Sequence, residues 1–151
     1  MHITSEIRVD TTVERAWAVL GEQFGDIAAW AEPVLSSSLD REPGIGAVRT
    51  CAVTGFGPMS AMTIHERLIR FDPAARRFAY EALDGLPRTI ARAENHWSIA
   101  SFGTGCRIRS EATLELRGVA VVFTPLIRTR LRADIDAILQ QLRVYLEGRP
   151  A

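Results

Sequence analysis

The stretch IRTRLRADIDAILQQLRVYL, residues 127–146, decides the fold of this 151-residue chain. Its apolar side chains recur at spacings of four, four, three, four and four residues, and this period lines them up along one side of a helix of about five turns. The stripe consists of Ile127, Leu131, Ile135, Ile138, Leu142 and Leu146. We therefore predict a long C-terminal helix that buries one side.

The residues before this helix follow the patterns of strands and turns. Residues 3–9 alternate between apolar and polar, which predicts a half-buried strand. Thr12 is a good helix cap, and we expect one short helix from residue 13 and a second around residues 26–31. Turns rich in glycine and proline then separate six further strands, which are predicted at residues 34–40, 47–54, 62–71, 77–83, 89–99 and 106–116.

These elements predict a single α+β domain over residues 1–151. One sheet and one amphipathic helix must cover each other's apolar faces. The simplest arrangement is a curved antiparallel sheet of about seven strands wrapped around the C-terminal helix, with the two short helices after strand 1. A sheet of this size rarely closes fully on one helix, so we expect a cavity between them that binds a small molecule.

The composition excludes several kinds of chemistry. All 18 basic residues are arginine and the chain has no lysine, so neither a Schiff-base lysine nor a phosphate-binding P-loop is possible. Codon usage in a GC-rich genome is the simplest interpretation of the missing lysine. The 18 acidic residues bring the formal net charge to zero, and this balance argues against binding to nucleic acid.

The chain contains no pattern of a secreted, membrane-spanning or metal-binding protein. Its first residues lack an apolar signal segment, and the longest apolar stretch, residues 119–123, is far too short to cross a bilayer. We expect a cytoplasmic protein in which Cys51 and Cys106 are free thiols. The three histidines lack metal-ligand spacing, and no dinucleotide-binding motif is present, so we predict neither a metal nor a cofactor.

Several short motifs occur in a characteristic order along the chain. Trp17 lies in the first helix, the segment GIGAVR at residues 44–49 has the form G-x-G-x-x-R, and ERL follows at residues 66–68, then Asp72 and Tyr80. This set resembles the START-like superfamily, also called SRPBCC, and is most similar to its polyketide cyclase/dehydrase and lipid-transport branch. The resemblance covers nearly the whole chain and implies a helix-grip fold with a cavity for a hydrophobic small molecule.

Strand pairing gives an independent prediction of the cavity face. A symmetric loop after Thr54 would place Arg49 opposite Glu66, and the turn at Asp72 would place Leu68 opposite Tyr80. Both pairings put the same residues on one, mostly apolar, face. That face comprises Arg49, Cys51, Val53, Met62, Ile64, Glu66, Leu68, Phe78, Tyr80 and Ala82, with Arg70 opposite Phe78 nearer the strand end.

Arg49 and Glu66 would then form a cross-strand ion pair on the cavity side. A buried charge without a partner is costly, by several kcal/mol as a rough figure, so a pair is the tolerated form. The pair could close one end of the cavity, or it could contact a ligand. With Tyr80, these two residues are the candidate catalytic residues.

The last hairpin leaves the orientation of one carboxylate open. We predict pairing of Ile99 with Cys106 and of Trp97 with Ile108. Alternation then turns Glu111 toward solvent, whereas the resemblance implies that Glu111 is a pocket residue. The full set of predicted ligand-binding residues is Cys51, Val53, Met59, Met62, Ile64, Leu68, Phe78, Trp97, Ile108, Leu114, Leu131, Ile135 and Ile138.

Three functions fit these patterns. The first is binding of a hydrophobic small molecule such as a lipid, a quinone or a polyketide. The second is an enzyme of the aromatic polyketide cyclase or dehydratase type that uses Glu66, Tyr80 and Arg49. The third is an interaction protein, monomer or homodimer, that acts through the apolar residues 119–127. These residues could instead be the buried start of the helix, which is the simpler expectation.

Overall fold

A computed structural model describes residues 1–54 and 61–148. In this part of the chain seven strands form one antiparallel sheet in the order β1-β7-β6-β5-β4-β3-β2. The strands are β1 His2–Val9, β2 Val34–Leu39, β3 Val48–Val53, β4 Met62–Asp72, β5 Arg77–Asp84, β6 Ile90–Phe102 and β7 Gly105–Leu116. The predicted helix-grip architecture is confirmed.

Short helical segments follow β1. Helix α1, Val13–Trp17, begins at Thr12, whose hydroxyl accepts a hydrogen bond from the Arg15 amide at 3.1 Å. A π-helical turn, Ala18–Glu22, and a 3-10 segment, Phe24–Ala29, continue it. Gly21 sits where a Cβ atom would come within 2.7 Å of the Trp17 ring, so this close packing requires glycine.

Helix α2, Thr124–Glu147, is the predicted C-terminal helix. Its burial is uneven along its length. Leu139, Leu142 and Leu146 in its last turns are buried, whereas Leu131 and Ile135 nearer its start are only half-buried. The helix packs against β1, where the Arg132 guanidinium donates to the Thr4 carbonyl at 3.1 Å. The stripe is therefore confirmed, but only its C-terminal half is covered by the core.

Strand β4 contains a bulge that overturns one predicted pairing. Leu68 lies opposite Tyr80 as expected, but Arg70 pairs with Ala79 rather than with Phe78. The extra residue turns Arg70 to the outer face and brings Phe71 inward, where its ring packs 5.3 Å from that of Trp17. The bulge thus replaces a charge by an aromatic ring in the core, which explains why strict alternation failed here.

The hairpin between β6 and β7 is shifted by two residues from the predicted register. Ile99 pairs with Ile108 and Trp97 with Ser110, because Phe102 already pairs with Gly105 across a two-residue turn. Gly103 in this turn has a φ of +58°, a value that glycine adopts without strain. A shift of two residues preserves the faces of both strands, so the predicted inward face is retained.

The segment before α2 differs from the simpler expectation. A 3-10 helix, Gly118–Phe123, joins the sheet to α2 and buries only Ala120. Val119 is 78% exposed, Val122 77% and Leu126 70%. The expectation of a buried helix start is therefore wrong, because this short helix follows the end of β7 and leaves most of its apolar side chains exposed.

Within the described ranges, the structure contains no helix both long enough and apolar enough to traverse a lipid bilayer.

Candidate functional site

The predicted pairing of Arg49 and Glu66 is confirmed, and it brings the two side chains together. The residues lie opposite each other on β3 and β4. The Arg49 Nε and Nη2 groups donate to the same oxygen, Glu66 Oε1, at 3.0 and 2.7 Å. The Cys51 thiol lies 3.7 Å from that oxygen. None of these contacts uses the other carboxylate oxygen, Glu66 Oε2, which has no hydrogen-bond partner among the described residues.

Arg49 is enclosed on its other sides. Its Nη1 group donates to the Phe24 carbonyl at 3.0 Å. The guanidinium carbon lies 3.8 Å from the centre of the Phe24 ring and 4.8 Å from that of Tyr80, distances at which cation–π attraction is favourable. Burial works against the charge, yet the Glu66 carboxylate raises the pKa of Arg49 above its ordinary value. Arg49 is only 3% exposed, and its two hydrogen bonds hold the Glu66 carboxylate in place from the core side.

A small cavity of about 140 Å³ lies beside Glu66, and we call it the polar cavity because a few polar side chains interrupt its mostly apolar wall. Its walls come from β4, β5, β6 and β7. They comprise Ile64, Glu66, Tyr80, Ala82, Leu86, Ala93, Glu94, Asn95, Ala112 and Leu114. Asn95 Oδ1 accepts a hydrogen bond from the buried Ser110 hydroxyl at 3.0 Å, which fixes the Asn95 side chain. The Glu66 carboxylate, a phenol and an amide therefore share one small space with Glu94, whose carboxylate is already bonded to Arg92 and His96.

The neighbours of the ion pair are held in their neutral forms. Burial raises the pKa of the Tyr80 phenol to about 12, and the Glu66 carboxylate adds to the effect. Burial likewise raises the pKa of the Cys51 thiol to about 11. At neutral pH Tyr80 is therefore a hydrogen-bond donor rather than a base, and Cys51 is a poor nucleophile because it stays protonated.

A much larger apolar cleft of about 800 Å³ lies under the first turns of α2. It separates the half-buried part of the helix from the start of β6 and the end of β7. The residues that line it are Pro87, Thr89, Ile90, Leu114, Leu116, Leu126, Ile127, Thr129, Arg130, Leu131, Ala133 and Asp134. The uneven burial of α2 thus has a direct cause, since the cleft occupies the space where the core would otherwise reach the helix.

Leu114 belongs to the walls of both spaces. The polar cavity and the apolar cleft therefore border each other at this side chain. This arrangement can hold a molecule whose polar end reaches Glu66, Tyr80 and Asn95 and whose apolar part lies beneath α2.

The structure places the predicted ligand-binding residues in three groups. Ile64, Leu114 and Leu131 line the polar cavity or the cleft. Leu68 and Ile108 have no exposed surface and belong to the packed core that supports the site. The remaining described residues line neither space. Cys51 lies beside Glu66, and Phe78 and Trp97 lie behind Arg49. Val53 and Met62 pair at the ends of β3 and β4, and Ile135 and Ile138 pack against the core from α2. Met59 lies outside the described residues.

Trp97 has an unusual position in the aromatic cluster. Its ring stacks on Phe78 with centres 6.0 Å apart, and its Nε1 group is buried without a partner among the described residues. The adjoining pocket, which also touches Arg49 and Tyr80, has a volume of only about 10 Å³, enough for about one water molecule. Trp97 therefore shapes the wall behind the ion pair and does not face the cleft.

The orientation of Glu111 follows the alternation. Glu111 lies on the outer face of the sheet, where it accepts a hydrogen bond from Arg109 at 2.9 Å. Its neighbours Ser110 and Ala112 are buried on the inner face. The pocket position that the resemblance implied for Glu111 is therefore not occupied by this residue.

Asn95 and the cleft residues on β6 and on the loop before it were missed as site residues by the sequence reasoning. Asn95 is two residues from Trp97 and so lies on the same face of the strand, and a polar amide on a mostly apolar face is the signal that could have identified it. Pro87 and Ile90 carried no comparable signal, because their place in the wall depends on where α2 departs from the sheet. The described residues contain no cluster of side chains suited to holding a metal ion.

Comparison with known proteins agrees with this geometry. The family model described as polyketide cyclase / dehydrase and lipid transport matches residues 1–147. The chain belongs to this family. Membership supports ligand binding in general. No curated protein matches the chain in sequence.

Solved structures of low sequence identity share the fold. A protein from Thermus thermophilus has a TM-score of 0.77 at 16% identity, and the match covers 95% of this chain and 94% of that one. XoxI from Bacillus cereus also has a TM-score of 0.77, at 18% identity and with 96% and 94% covered. Ara h 8.0201 has a TM-score of 0.71 at 13% identity, with 99% of each chain covered. At these identities the likeness concerns the fold alone.

Proposed function

We propose that residues 1–151 act as one domain that binds an amphiphilic small molecule of the lipid, quinone or polyketide type in the cytoplasm. The observation that carries this proposal is the polar cavity at Glu66, which adjoins the apolar cleft through the shared wall residue Leu114. The cleft alone, at about 800 Å³, falls within the range of pockets that bury drug-sized ligands.

The polar cavity suits a carbonyl or hydroxyl group. Glu66 Oε2 is available to accept a hydrogen bond, and Tyr80 keeps its proton because burial raises its pKa to about 12. The Asn95 Oδ1 atom is already engaged by Ser110, which leaves the Asn95 amide NH2 group as a donor. Glu66, Tyr80 and Asn95 can thus orient a ligand with one oxygen function.

Binding can be tested with anilinonaphthalene sulfonate as a fluorescent probe of the cleft. We expect the wild-type protein to enhance the fluorescence of the probe, and Leu131→Glu to reduce its affinity about tenfold or more because the new carboxylate enters the apolar wall. Val144→Glu is the matched control, since Val144 lies on the same helix but is exposed. Equal probe binding by the Leu131 variant and the control would contradict the proposal.

Native mass spectrometry of the purified protein tests occupancy directly. A copurified apolar molecule that disappears in Leu131→Glu but stays in Val144→Glu would identify the ligand class. A probe that binds to both variants alike, together with no retained molecule in either, would mean that the cleft is only a surface groove.

A second candidate function is acid–base catalysis, and one observation favours it. Glu66 and Tyr80 line the same cavity of about 140 Å³, so one substrate could contact both. In a polyketide-type reaction Glu66 would take a proton from a carbon flanked by carbonyl groups, and Tyr80 would donate a hydrogen bond to the developing enolate oxygen. Arg49 is a positioning residue in this scheme, because it touches Glu66 rather than the cavity.

Turnover of a poly-β-keto substrate separates catalysis from binding. Catalysis predicts that Glu66→Gln loses about a hundredfold or more of the rate while probe binding and the folded state persist. Tyr80→Phe should reduce the rate less, since the hydroxyl acts as a donor only. Unchanged turnover in Glu66→Gln would exclude Glu66 as the base and leave ligand binding as the function.

A further inference from the structure

A cluster of exposed apolar side chains lies at the start of α2. We call it the entry surface, and it consists of Val119, Val121, Val122, Phe123 and Leu126. Each of these side chains is more than half exposed, from 54% for Val121 and Phe123 to 78% for Val119. Large contiguous apolar patches are uncommon on free monomers and mark surfaces that contact something else.

The entry surface is surrounded by positive charge. Residues 117–134 contain four arginines and one acidic residue, Asp134, which pairs with Arg130 at 3.3 Å, although the whole chain has a net charge of zero. Arg117 and Arg128 are exposed, and neither has a carboxylate within 4.0 Å among the described residues. The Arg117 amide donates to the Thr89 carbonyl at 2.9 Å, which places the loop that carries the exposed Arg88 beside this segment.

From this combination we propose that the entry surface binds to an anionic lipid bilayer. Short helices with apolar side chains and flanking arginines insert shallowly at the boundary between headgroups and acyl chains. Arginines close to an anionic leaflet add attraction that falls off within a Debye length. The unpaired arginines supply this attraction, and the valines, Phe123 and Leu126 supply the apolar contact.

A second copy of the chain fits this surface less well. A dimer with twofold symmetry would place the entry surface against itself. Arg117 and Arg128 would then lie near their own copies, whereas Asp134 compensates only Arg130. Like charges in such an arrangement are unfavourable.

The adjoining cleft favours a bilayer over a soluble protein partner. Leu126 belongs both to the entry surface and to the wall of the apolar cleft. A protein seated on a bilayer at this surface would therefore hold the cleft next to the acyl chains. This step rests on the proposed ligand binding, whereas binding of the surface to the bilayer does not depend on it.

Vesicle flotation tests the proposal with the whole protein. Vesicles of equal parts phosphatidylcholine and phosphatidylglycerol should carry the wild type, and vesicles of phosphatidylcholine alone should carry far less. Val122→Asp should weaken binding about tenfold or more, whereas Val144→Asp, an exposed apolar site near the other end of α2, should not. Arg117→Gln and Arg128→Gln should each weaken binding about fivefold, and Arg77→Gln on β5 should have no effect.

Several results would overturn the proposal. One is equal binding of wild type and Val122→Asp to the anionic vesicles, with both proteins folded by circular dichroism. Another is equal binding to neutral and anionic vesicles, which would remove the role of the arginines. No binding of the wild type to either kind of vesicle would also overturn it. A wild-type dimer that Val122→Asp dissociates would instead assign the surface to a contact between two copies of the chain. Loss of vesicle binding with intact binding of anilinonaphthalene sulfonate would leave the proposed function standing.

Discussion

The guanidinium of Arg49 has all three of its nitrogen atoms engaged, two by Glu66 Oε1 and one by the Phe24 carbonyl. We expect Arg49→Met to lower the free energy of unfolding by about 3–5 kcal/mol, because it leaves the Glu66 carboxylate beside a buried apolar side chain. Denaturant titration followed by circular dichroism measures this change.

The exposed pair of Arg41 and Asp40 provides the control for this substitution. Its two side chains lie 3.2 Å apart but are 63% and 40% exposed, so Arg41→Met should lower the free energy of unfolding far less than Arg49→Met does. If the two arginine variants were equally stable, the buried ion pair would contribute nothing beyond a surface pair.

Tyr80 and Cys51 make the stability of the protein depend on pH in the alkaline range. Both pKa values are raised in the folded state, to about 12 for Tyr80 and to about 11 for Cys51. The unfolded chain therefore loses these protons at lower pH than the folded chain does. These two groups should leave stability unchanged below about pH 9 and lower it as the pH rises toward 12.

Matched variants identify the source of this fall. Tyr80→Phe should remove the part of the fall in stability that occurs at the higher pH values, and Cys51→Ala should remove the part at the lower pH values. Unfolding measured at a series of pH values tests both. Tyr145→Phe, at the other tyrosine, is the control for Tyr80→Phe. A fall that survives in the Tyr80 and Cys51 double variant would have to come from other groups.

At the scale of elements, α2 rests on the core at one end and on a cleft at the other. Leu142 has no exposed surface, so Leu142→Ala should create a cavity and cost about 2–5 kcal/mol. Leu131 already borders the cleft, so Leu131→Ala should cost less than about 1.5 kcal/mol because it only widens an existing space. Thermal unfolding of the two variants compares them directly, and equal losses would mean that α2 is supported evenly.

The elements themselves could be predicted from the sequence because their signals are local. The spacing of apolar residues in 127–146 predicted α2 and its inward side, and alternation predicted the faces of β3 and β4. The bulge at Ile69 could not be predicted, because it depends on packing of Phe71 against Trp17 across the core. The tight turn at Gly103 shifted a register that loop symmetry alone leaves open.

At the scale of the molecule, the polar part of the site was within reach of sequence reasoning and the apolar part was not. Glu66, Tyr80 and Arg49 were found together because strand pairing brings distant residues onto one face. The cleft arises from the path of α2 relative to the ends of β6 and β7, and no local pattern encodes that path. The same holds for the exposed entry surface, since residues 119–126 fit a buried helix start equally well.

The support of α2 at one end only has a consequence for local opening of the chain. Amides in the last turns, near Leu142 and Leu146, can exchange with solvent only when the core itself opens. Amides in the first turns lie over the cleft and can exchange through fluctuations that leave the sheet intact. Hydrogen exchange should therefore divide α2 into a slow half and a fast half, so that one continuous helix behaves as two units of different stability.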